Sequence, residues 1–228
     1  MDHNEIEWYD VELVPRQVRT HRQQNIAGII AVSRRPFVFD AVKLAQLKQK
    51  ALDPEIKLLL DKNVFSYIKL PVNIRPRDEV DVRFLSIEVV LASENKGAIC
   101  WSMEPTRIEE EVKLKTESVL SGSLKLKDLE LGTSDSLAQE FILYQPNIEA
   151  FGIGRENPAW EFTPTKGRKL SGIYILHMVV LVPKNTLAAG KVVIKADIFK
   201  EGLLWNYHVQ RKEDSEDVLT IALPGFTY

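Results

Sequence analysis

The sequence predicts a mostly β protein: an antiparallel β-sandwich, Ig-like or similar, with a small helical element near residues 40–62. Three observations carry that expectation. Short segments with apolar residues at every second position recur from Val64 to the C-terminal end. Turn-forming residues separate them at short intervals. Helical periodicity is confined to one region. Many short strands with few helices pack as two sheets face to face. The expected division is a strand/helix segment over 1–63, packed on the sandwich or part of it, and a sandwich domain over 64–228.

The elements follow in order. EIEWYDVELV (5–14) reads as a strand anchored by Trp8 and Tyr9, and IAGIIAV (26–32) as a short buried strand. Asp40 is placed to cap a helix carrying a stripe of Ala41, Leu44, Ala45, Leu47, Ala51 and Leu52. Asp53-Pro54 restarts the pattern as a second, short helix, because proline at the first helical position loses no hydrogen bond. VFSYIKLPVNI (64–74) returns to β. In EVDVRFLSIEVVLAS (79–93), Val80, Val82 and Phe84 share one face, then Leu85, Ile87, Val89 and Leu91 the other. Such a phase change predicts a bulge near Phe84–Leu85. Further strands are expected at AICWSM, EFILYQ, AWEFT, GIYILHMVVLV, KVVIKADIF, LLWNYHV and DVLTIAL. GIYILHMVVLV is nearly continuous in apolar residues and should be central. KVVIKADIF should turn Val192, Ile194, Ala196 and Ile198 inward and Lys195 and Asp197 outward.

Composition bounds function. The 228 residues are 45% hydrophobic and 27% charged, which suits a globular chain with a sizeable core. A formal net charge of -2 gives no overall field towards nucleic acid or acidic membranes. A single cysteine, Cys100, excludes an internal disulfide and leans towards a reducing compartment. The acidic N-terminus lacks signal-peptide character, and the longest apolar runs fall far short of the ~20 residues of a membrane helix. A soluble, intracellular, cytoplasmic protein is the expectation.

Motifs for chemistry are missing. His3, His21, His177 and His208 are scattered, without metal-ligand spacing, so no metal or cofactor is expected. No G-x-S-x-G and no phosphate-binding glycine motif occurs. FGIGREN (151–157) has a G-x-G without a helix after it and reads as a loop. Cys100, beside Trp101 in an apolar strand, reads as an inert core thiol. His177, interrupting YILHMVV, reads as a hydrogen-bonded core histidine rather than a general base.

Two surfaces stand out. Arg16, Arg19, Arg22, Arg34 and Arg35 form an all-guanidinium set suited to binding carboxylate or phosphate. Their bland alternative is pairing with the acidic residues of 2–12. The second surface is VKLKTESVLSGSLKLKDLEL (112–131), which reads as a hairpin turning at Ser121-Gly122. In that register Lys113 meets Glu130, Lys115 meets Asp128, and Val112 and Leu114 meet Leu131 and Leu129. Towards the tip the apolar side exchanges: Val119, Leu124 and Leu126 lie on the face that began charged, and Lys125 and Lys127 take the other. A membrane-spanning hairpin holds one apolar face for about 9–11 residues per strand, and this pattern does not. Val119, Leu124 and Leu126 therefore become a candidate protein interface.

The resulting expectation is a non-enzymatic binding or scaffolding module whose partner is another protein, with no membrane role and nucleic acid disfavoured. Two alternatives are an anion or nucleic-acid binder using the arginines, and an enzyme whose site is assembled from distant residues.

Overall fold

The structure is a computed structural model. It describes residues 6–15, 28–47, 51–52, 54–77, 79–94, 97–108, 147–165, 169–200, 206–211 and 220–223. The candidate arginines Arg16, Arg19 and Arg22, the hairpin 112–131 with Val119, Leu124 and Leu126, and the expected strand EFILYQ lie outside the described residues.

The described residues form a mostly antiparallel β fold of two sheets and two helices. The first sheet comprises β1 (Trp8–Asp10), β3 (Ile30–Ser33), β4 (Phe37–Asp40), β5 (Asn63–Ile74), β7 (Ile99–Glu104) and β11 (Gly172–Pro183). Its order is β1-β3-β5-β11-β7, and β4 also lies against β5. The second sheet comprises β2 (Leu13–Pro15), β6 (Val80–Ser93), β8 (Arg107–Ile108), β9 (Asn147–Phe151), β10 (Ala159–Thr163), β12 (Ala188–Lys200), β13 (Asn206–Arg211) and β14 (Thr220–Leu223). Its order is β2-β13-β12-β6-β10-β9-β8, with β14 on β12. One core joins the facing sides, with Ile68, Leu70, Leu176 and Met178 from the first sheet and Leu85, Ile87, Trp160 and Ile194 from the second.

The helices α1 (Ala41–Leu47) and α2 (Pro54–Leu59) form a third layer. A smaller core of Ala41, Ala45, Ile56, Phe65, Tyr67, Val179 and Leu181 joins them to the outer face of the first sheet. Asp40 caps α1 as its sequence position predicts: its carboxylate accepts from the backbone N–H of Val42 at 2.9 Å and of Lys43 at 3.0 Å. That third layer explains why the second half of β11 is apolar on both faces: Met178, Val180 and Val182 enter the main core, while Val179 and Leu181 join the smaller core with the helices. β11 is central, between β5 and β7.

Several details differ from the sequence expectation. The strand expected over 5–14 divides in two: β1 joins the first sheet and β2 the second. The N-terminal segment thus contributes strands to both sheets. Local alternation cannot show this crossing, because Val11 and Leu13 are buried on either side of it. The bulge falls one residue earlier than expected: Asp197 pairs with Phe84 and Ile198 with Val82, leaving Arg83 as the extra residue. Phe84 is therefore half-buried beside Arg83 rather than in line with Val82, and the core face resumes at Leu85. Leu47 lies off the buried stripe of α1, 81% exposed. β12 is as predicted, with Val192, Ile194, Ala196 and Ile198 all buried. Pro71 sits inside β5 where its partner changes, β4 pairing as far as Lys69 and β3 beginning at Val72. Its missing N–H falls in that gap.

Candidate functional site

The outer face of the first sheet collects the titratable groups. Antiparallel register brings Phe37 of β4 opposite Lys69 of β5, Lys69 opposite His177 of β11, and His177 opposite Glu104 of β7. Directly opposite residues share a face, so these four form one row across four strands. The next row carries Phe39, Tyr67 and Val179. It leads into the apolar contact with the helices, where Phe65 meets Trp101 edge-to-face at 5.5 Å between centroids.

His177 is the buried centre of the row. Its Nδ1 lies 2.6 Å from the Tyr67 hydroxyl, and the two rings stack at 5.8 Å between centroids. Burial pulls the imidazole down to about 3, and the nearby Lys69 ammonium pushes the same way. Burial also raises the Tyr67 phenol well above its ordinary range, so both partners stay neutral at pH 7. The expected hydrogen-bonded core histidine is what the structure holds. Lys69 lies with its Nζ 5.5 Å above the Phe37 ring, and its half-burial lowers the ammonium. Half-burial raises the Glu104 carboxyl, partly offset by a backbone hydrogen bond from Thr106. Among the described residues, neither Lys69 nor Glu104 has an ion-pair partner.

Cys100 is fully buried in β7 and free. Burial pushes its thiol up to about 12, offset in part by a backbone hydrogen bond from Ser102, and the thiol lies 3.5 Å from the Ser102 carbonyl oxygen, to which it donates. A thiol so held is not a nucleophile at neutral pH. Of FGIGREN, Phe151 ends β9 and residues 152–157 form the expected loop, which is tied to both sheets. Gly154 N–H donates to the Cys100 carbonyl at 2.7 Å, Cys100 N–H to Arg155 at 2.9 Å, and Leu91 N–H to Glu156 at 2.7 Å.

Of the arginine set, Arg34 and Arg35 are described. Arg34 pairs with Glu7 at 3.1 Å, and Arg35 approaches the same carboxylate at 4.0 Å. All three are exposed, with Arg35 89% accessible. Arg75, which the sequence did not single out, pairs with Asp10. Among the described residues no group of three or more His, Cys, Asp or Glu is placed to hold a metal ion. No described helix is long and apolar enough to cross a membrane.

His177 was visible in the sequence as a polar break in an apolar strand. Lys69, Tyr67 and Glu104 were not, although Lys69 is the only charged residue within VFSYIKLPVNI. A lone lysine there is the available signal, and pairing it with Glu104 requires the strand order.

No protein-family model and no curated protein matches the sequence. Among solved structures, the chain is similar to the Clostridium perfringens NetB toxin in its membrane-inserted form, at 9% identity over 92% of each chain and a TM-score of 0.34. A likeness that slight carries no argument.

Proposed function

We propose that this chain is a non-enzymatic binding or scaffolding module, a soluble cytoplasmic protein whose partner is another protein. One observation supports this above others: the two described side chains best suited to nucleophilic or acid–base work, Cys100 and His177, are both buried and held neutral. The free, buried thiol also suits a reducing compartment. The anion-binding alternative draws less support, because Arg34 and Arg35 turn to Glu7.

The candidate interface remains Val119, Leu124 and Leu126. Its test is Leu124→Asp, with wild type and variant used as tagged baits in the native host and compared by quantitative mass spectrometry and melting. A specific partner lost at unchanged melting temperature supports the interface. A substantial fall in melting temperature places Leu124 in the core and removes the interface.

A further inference from the structure

We propose that the row Lys69–His177–Glu104 is a binding site for a small zwitterion, a molecule with a carboxylate at one end and an ammonium at the other. The proposal goes beyond the protein-partner reading and stands apart from it. Lys69 and Glu104 occupy the two ends of one cross-strand row, with His177 between them. Their backbones stand two strand spacings apart, about 10 Å. Both are half-buried, and among the described residues neither meets an opposite charge. Phe37 meets the Lys69 ammonium and the Thr106 backbone the Glu104 carboxylate, and a ligand that supplies the opposite charge adds a stronger contact to each.

The sign pattern selects the ligand class. An anion would satisfy Lys69 and leave Glu104 unpaired, and a cation would do the reverse. A metal ion would meet one carboxylate and a repelling ammonium. A zwitterion pairs both ends at once. Between them His177 and Tyr67 are neutral and buried, 5% and 4% exposed, so the row carries no charge between its two ends. Phe37 holds the Lys69 ammonium from its far side, and Ile175, half-buried next along β11, extends the apolar border.

The test uses 6-aminohexanoate as probe, with hexanoate and hexylamine as one-charge controls. Each is titrated into the full chain by calorimetry, with the His177 ring protons followed by NMR. The expected result is binding of 6-aminohexanoate at least about tenfold tighter than either control, since each charged contact contributes separately. The His177 resonances should shift with the same titration midpoint. Lys69→Met and Glu104→Gln should each remove the preference at unchanged melting temperature. Equal or no binding of the three probes, an unmoved His177, or variants that keep the preference would overturn the proposal. If a variant fails to fold, probe selectivity and the His177 shift on wild type still decide. Failure here leaves the Leu124→Asp comparison intact, because that experiment reads a different surface and a macromolecular partner.

Discussion

Acid should unfold this protein partly through His177. The imidazole is 5% exposed, joined to Tyr67, and flanked in its row by Lys69 and Glu104. In the fold it takes up a proton only near pH 3, whereas in the unfolded chain it does so near the ordinary 6.5. Between those values the unfolded state holds more protons, so stability falls as pH falls. The full stability is present above pH 6.5 and is lost progressively towards pH 3. At pH 4.5 this one group costs about 3 kcal/mol relative to pH 8. For a chain of this size that is a fall in melting temperature of roughly 6–12 °C. The assay is urea unfolding of wild type and His177→Gln across about pH 8 to pH 4.5. Glutamine retains a hydrogen-bonding partner for Tyr67 and does not titrate. Carboxylates act on both proteins alike, so they cancel in the difference. Wild type should lose about 3 kcal/mol more than the variant over this range. Parallel stability curves would refute the assignment of a buried neutral histidine.

Two further outcomes follow from backbone geometry. Gly152 has φ +82°, and a Cβ there would lie 2.8 Å from the Asn157 carbonyl oxygen and 2.9 Å from Pro158 Cα. Gly152→Ala should cost about 1–3 kcal/mol in denaturant unfolding, and Gly154→Ala, with φ +80° but open space, clearly less. Asp40→Ala removes both side-chain bonds at the start of α1 and should cost about 1 kcal/mol, with Asp40→Asn recovering most of it.

Local rules carry far in this chain because most of its elements obey them. Asp40 caps α1, Pro54 opens α2, and β12 alternates inward and outward as its residues dictate. The phase change in 79–93 revealed a bulge from sequence alone, since one extra residue moves the core face from Val82 to Leu85. Three strands escaped notice: β4, β8 and β9 are two to five residues long, too short for periodicity to emerge.

What the sequence determined by itself is what depends on neighbours along the chain: the β class, the helical element, the inert cysteine and the hydrogen-bonded histidine. Tertiary structure alone decided what depends on strand order. It divided residues 5–14 between two sheets, because burial pattern does not say which partner does the burying. It also set Lys69 and Glu104 on either side of His177, although they are 35 residues apart in the chain and His177 lies beyond both. A hydrogen-bonded ladder makes neighbours of residues distant in sequence, and no local pattern records which strands will share one.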